Sequence, residues 1–303
     1  MTGEPVTVVP SSGSQAVRSW EILQVAFGLV ARSTTWNISW GNRVTSILHA
    51  LSARHVSVRI YGLAAVALGL VGLAWGDFAV LWQPEPNDVP ERTALAYAVA
   101  VAVLLAGLAI QWQRAAGPGA LALTVLYSLG VILLDVPRVI AQPSVFVTWY
   151  GVAETLALVA GGLVVYAYRA PLEPATAERL SKIGRLMFGL CLIVFGLAHL
   201  FYLAHTAELV PAWLPPGQTF WAYATAAGHF AAGIAILSGI YARTAAMLLT
   251  AMFVVFGILV HAPTIFIDPH THFNWAENAI NFALIGSAWV IAASIPAVGK
   301  SKR

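Results

Sequence analysis

Eight stretches of about twenty mostly apolar residues, joined by short polar connections, constrain this chain more than any other feature. A helix of that length rises ~30 Å, which matches the hydrocarbon thickness of a bilayer. The stretches are read at 58–81, 94–112, 118–140, 147–168, 183–204, 220–240, 244–266 and 275–296. Composition agrees: 10% of residues are charged and 59% hydrophobic, whereas soluble domains carry roughly 25% charged residues. The predicted fold class is therefore all-α integral membrane, with the lipid bilayer as first partner.

The placement of Lys and Arg sets an orientation. Fourteen of the 16 fall on one side of the spans and two, Arg92 and Arg138, on the other. By the positive-inside rule both termini are expected in the cytoplasm, with the protein multi-pass in the cell's inner membrane. Trp82, Trp149, Trp213, Trp221 and Trp275 gather on the opposite side, as an interfacial aromatic belt would. The N-terminus lacks a basic stretch followed by an apolar one and is not expected to be a cleaved signal. Residues 1–56 read as a cytoplasmic tail, the run from Trp20 to Val30 being too short to span. An interfacial amphipathic helix is the alternative for that run.

The chain also repeats itself. AYAVAVAVLLAGLAI from Ala96 lies over AYATAAGHFAAGIAI from Ala222 at an offset of 126. The same offset pairs Pro137 with Pro263, Pro143 with Pro269 and Trp149 with Trp275. Upstream, an offset of 124 pairs Gly72-Leu73-Ala74 with Gly196-Leu197-Ala198. Two tandem four-helix halves, 57–170 and 183–297, are predicted. Four spans is an even number, so both halves enter the membrane in one direction as parallel repeats. Each is expected to pack as a four-helix bundle, with Gly72-xxx-Gly76 and Gly161-Gly162 at close helix contacts.

Ionisable groups inside a bilayer cost roughly 2.5–3.5 kcal/mol each on insertion scales, so each is a candidate for function. In the second half His199, His261, Glu277, Asn278 and Asn281 fall within ~10 Å of the outer interface at 1.5 Å rise per residue. They are predicted to converge on one ligand pocket, inside the second bundle or at its seam with the first. His229 lies nearer the bilayer centre and is the weaker member. In the first half the matching layer holds Asp77, Asp135 and Glu154, with Arg138 three residues after Asp135. Asp135 aligns with His261 and Glu154 with Ile280, so the two halves are not expected to hold copies of one site. Asp268-Pro269-His270-Thr271-His272 offers a carboxylate and two imidazoles, yet a short solvated loop is the plainer reading.

At FGLAHLFY from Phe195, ELVPAWLPP from Glu208, WAYATAAGHFAAGIAIL from Trp221 and RTAAMLLTAMFVVFGILVHAP from Arg243, the chain resembles the DoxX-like family of four-helix membrane proteins. The first half, with GLAWGDFAVLWQPEP from Gly72, resembles it more weakly, with Trp75 where the second has His199. The resemblance implies kinship with membrane subunits of thiosulfate:quinone oxidoreductases and with oxidative-stress membrane complexes. It supplies no catalytic set to carry over. Four functions are weighed: a redox-associated subunit with a quinone or similar small molecule, a non-enzymatic scaffold, a metal or haem protein, and a proton-coupled transporter. Cys191 is the single cysteine, and no CxxCH, Fe–S cysteine set or dinucleotide glycine loop is present. Electron transfer would thus require a redox partner subunit or a bound cofactor, a quinone or a metal being the candidates. No basic block points to nucleic acid. Whether the protein is an enzyme is left open.

Overall fold

A computed structural model describes residues 54–79 and 90–296; among them every regular element is helical. The elements are α1 (Arg54–Trp75), α2 (Arg92–Ala109), α3 (Ala116–Gly130), α4 (Val136–Ala141), α5 (Phe146–Arg169) and α6 (Pro174–Phe201). They continue with α7 (Leu203–Leu209), α8 (Gln218–Ser238), α9 (Ala242–Phe256), α10 (Ala262–Ile267) and α11 (His272–Ser294). Counting α3 with α4 and α9 with α10 as continuous rods, eight are long and apolar enough to cross a membrane. Each matches a predicted span. The largest departure is α6, which starts at Pro174, because Pro at the first turn fits a helix start and polar residues such as Glu178 and Arg179 continue it. The tail reading for 1–56 lies outside the described residues, except that α1 already begins at Arg54.

Two rods are broken at corresponding places. A single π turn, Val131–Asp135, joins α3 to α4, and another, Gly257–His261, joins α9 to α10. The physical cause sits two residues on. Pro137 and Pro263 have no N–H, and their rings would clash with the carbonyls of Leu133 and Leu259 in a regular helix, so the turn widens. Five successive element starts recur at an offset of 126: Arg92 and Gln218, Ala116 and Ala242, Val131 and Gly257, Val136 and Ala262, Phe146 and His272.

One helix start is also built repeatedly. The indole N–H of Trp149 donates to the Pro143 carbonyl at 3.0 Å, Trp221 to Pro215 at 2.9 Å, and Trp275 to Pro269 at 2.8 Å. Each tryptophan is the fourth residue of its helix and ties it to the loop before it. A polar tip bonded in the loop and an apolar ring suit an interface where one end is wet.

Lateral packing runs α1–α2–α3–α5–α6–α8–α9–α11 and back to α1, with α5 also against α11 across the middle. The first and fourth long helices of one half, α1 and α5, barely touch; α1 packs on α11 and α6 on α5. The halves thus close on each other, and not each on itself as two separate bundles would. The central helices α5 and α11 are accordingly the most buried and the α9 rod the least.

Small residues permit this centre. A Cβ on Gly161 would lie 2.6 Å from Ser287 Oγ and 2.8 Å from Tyr61 Cε2, and one on Gly286 would lie 2.8 Å from Tyr61 Cα. Tyr61 is 2% exposed and donates its hydroxyl to the Leu158 carbonyl at 2.8 Å, so its polar tip is satisfied. Gly72 packs similarly on Ala100 of α2, whereas Gly76 lies beyond the end of α1 at φ 62°, in the left-handed region.

Candidate functional site

The polar residues of the second half gather at the tryptophan-bearing end of the bundle. All but Asn278 of those predicted line one cavity of about 1010 Å³, counting its open mouth. His199 enters from α6, His229 from α8, His261 from the π turn, and Glu277 and Asn281 from α11. Glu154 and Tyr150 come from α5, so the cavity lies at the seam between the halves. Apolar rings of Phe195, Phe253 and Phe256 complete the wall.

The imidazoles are fixed by their own helices. His199 Nδ1 lies 2.9 Å from the Phe195 carbonyl and His229 Nδ1 2.9 Å from that of Thr225, each one turn back. A carbonyl only accepts, so both Nδ1 atoms carry hydrogen; in the neutral ring Nε2 is then an acceptor. The two rings are 4.7 Å apart. His261 reaches the cavity because the π turn ends on it; its Nδ1 is 3.9 Å from Glu277 Oε2.

The asparagines act mostly on backbone. Asn281 donates to the Phe253 carbonyl at 3.2 Å and still lines the cavity. Asn278 does not line it: its amide donates to the His261 carbonyl at 2.7 Å and the Asn274 carbonyl at 2.8 Å. Predicted as a ligand residue, it instead staples α11 to the π turn that carries His261. Both hydrogens of one Asn amide are used in this way, which leaves none for a ligand.

The first-half set is dispersed. Asp77 pairs with Arg92 at 2.7 Å and approaches His272 at 4.0 Å, beside Trp75 and away from the cavity. Asp135, 2% exposed, is 3.8 Å from Arg138 Nη1, the local i, i+3 pair that the spacing suggests. Of the three, Glu154 alone lines the cavity. It is 3% exposed, Tyr150 donates to its Oε1 at 3.3 Å, and its Oε2 has no hydrogen-bond partner among the described residues. An orphaned buried carboxyl oxygen requires an explanation.

The 268–272 loop is not assembled to chelate. His270 is exposed while His272 turns to Trp75 and Asp77. Asp268 accepts from the His270 N–H at 3.3 Å and from the Thr271 hydroxyl. These bonds, Thr271 foremost, hold its carboxyl below the usual carboxylate range. Among the described residues, no three His, Cys, Asp or Glu side chains are grouped to hold a metal ion.

Tyr202, whose hydroxyl accepts the Val147 N–H at 3.0 Å, also lines the cavity. His205 and Thr206 of α7 line it too. These residues, like the phenylalanines, carry no mark in an apolar sequence. Only Tyr150 has a local cue, lying one helical turn before Glu154 on the same face.

Fold and site together define a multi-pass α-helical membrane protein with an aromatic, acid- and histidine-bearing cavity near one end of the bundle. Residues 180–262 match the DoxX family model, from the first turns of α6 to the residue after His261. That DoxX-like segment supplies all four histidines named above as lining the cavity. No curated protein and no solved structure matches it.

Proposed function

We propose that this is a redox-associated membrane protein that binds a small, largely apolar molecule with polar oxygens, such as a quinone, in the cavity between its halves. The observation that carries the reading is one apolar-walled space where His199, His229, His261, Glu277, Asn281 and Glu154 meet. Pockets for small molecules are concave, mainly apolar and aromatic, with a few convergent polar groups. Membrane-buried ionisable groups persist where they face a cavity or a partner. The residues that would hold a quinone are these, with the rings of Phe195, Phe253 and Phe256 against its head group. The bound quinone would supply the electron-accepting chemistry, and a partner subunit the electrons.

The matching element starts support an origin of the two halves by tandem duplication, with parallel orientation. In the topology that goes with it, both termini face the cytoplasm and the cavity mouth faces the outer side of the inner membrane. Single cysteines placed at 205–219 are expected to react with an impermeant maleimide added outside intact cells, and cysteines at 171–178 only after lysis; the reverse pattern inverts the orientation.

For the site, decylubiquinone titrated calorimetrically into the detergent-solubilised protein is expected to bind saturably at one site. His261→Ala should weaken it about tenfold, as loss of one buried polar contact does. The variant should keep its helix content and elute as the parent does. Unchanged affinity in that variant would leave the cavity without a role in binding.

A further inference from the structure

The cavity wall is unbalanced in charge. It holds two carboxyl groups, Glu154 and Glu277, brought from α5 and α11, and among the described residues no Lys or Arg lines it. Among the described residues, the titratable groups that line the cavity with Glu154 are Tyr150 of its own helix, His199, His205, His229 and His261 from the neighbouring elements, Tyr202, and Glu277. Asp135 also lies within electrostatic reach. Glu277 has a partner of opposite tendency in His261 at 3.9 Å. Glu154 has Tyr150, a neutral donor, on Oε1 and, among the described residues, no hydrogen-bond partner on Oε2. Two carboxylates close together in a space with little water are not both ionised, and Glu154, buried where Glu277 is half-buried and with one oxygen unpaired, is the one that keeps its proton.

The geometry points to Glu154 as a neutral carboxylic acid whose Oε2–H is the donor that recognises an oxygen acceptor of the bound ligand. This rests on the cavity being a ligand site, and it deepens that reading by assigning a donor and a charge class. The ligand class is then a neutral molecule with a carbonyl or ether oxygen. Small inorganic anions are disfavoured by Glu277, and organic cations find no buried anion at Glu154. Helix α5 belongs to the first half, so the site is complete only when the halves pack on each other. Tyr150 positions the acid by holding Oε1.

Two variants separate the donor from the charge. Glu154→Gln keeps an N–H donor of similar shape, and Glu154→Leu removes it. Decylubiquinone affinity is expected to fall about tenfold in Glu154→Leu and to stay within about twofold in Glu154→Gln. Wild-type affinity should decline as pH rises and the acid is lost, and that decline should vanish in Glu154→Gln. Independently of any ligand, infrared spectra of the purified protein should show a deuterium-sensitive carboxylic-acid C=O band that both variants lack. Absence of that band in the wild type, or decyltrimethylammonium binding more tightly than decylubiquinone and losing its site in Glu154→Gln, overturns the assignment and leaves the cavity a ligand site. If decylubiquinone does not bind but the band is present and lost in Glu154→Gln, the acid stands and the quinone reading falls.

Discussion

Replacing Gly286 with valine is expected to abolish assembly of the eight-helix unit. A Cβ there would lie 2.8 Å from Tyr61 Cα and 3.1 Å from Tyr61 N, so the obstacle is the α1 backbone and no flexible side-chain tip can yield. Overpacking a well-filled core typically costs ~1–3 kcal/mol, and here relief requires α1 to move off α11. That contact closes the ring, and shifting it would also disturb Tyr61, which bonds α5 through the Leu158 carbonyl. The protein should therefore elute from size-exclusion chromatography as aggregate after detergent extraction. Gly130→Val is the matched control, since nothing lies within 4 Å of a Cβ at that helical position; it should elute as the parent does. Monodisperse Gly286→Val protein would mean that α1 does not pack against α11 as described.

Filling the cavity is expected to have the largest effect on binding. Ala198 is 8% exposed, lines the cavity and precedes His199 on α6. An indole in place of its methyl would occupy the space between α5, α6 and the π turn and leave no room for a ring-sized ligand. Decylubiquinone affinity should fall about 100-fold or more, corresponding to ~2.7 kcal/mol or more. The new side chain points into a cavity that opens to the outside and not into a closed core, so insertion and helix content should persist. Retained binding in Ala198→Trp would put the ligand elsewhere, whereas loss of both binding and assembly would favour a purely structural role for the polar layer.

Much of the site was legible before the fold. His199, His261, Glu277 and Asn281 share a depth because each helix advances by a fixed rise, so counting from the span ends locates them in one layer. The positions of Pro137 and Pro263 likewise announce a break, since a missing N–H and a ring clash act locally. His229, deeper by count, still reaches the cavity, because its ring lies against that of His199 at 4.7 Å. Asn278 could not be assigned by depth: whether an amide faces a ligand or a carbonyl depends on the π turn opposite it. Asp77 shares the layer yet turns to Arg92 and His272, a choice made by neighbours on two other helices.

The sequence by itself determined that the chain is a membrane protein, how many times it is long enough to cross, and where along each helix the costly groups sit. Bilayer thickness acts along one axis, and composition and residue counting register it directly. Only the tertiary structure decided which helices adjoin. Lipid tails are as apolar as leucine, so no apolar pattern names a helix's partner; close fits at small residues such as Gly161, Gly286 and Ser287 do. Those fits put α1 and α5 on α11, and so carry Glu154 of one half into the cavity of the other.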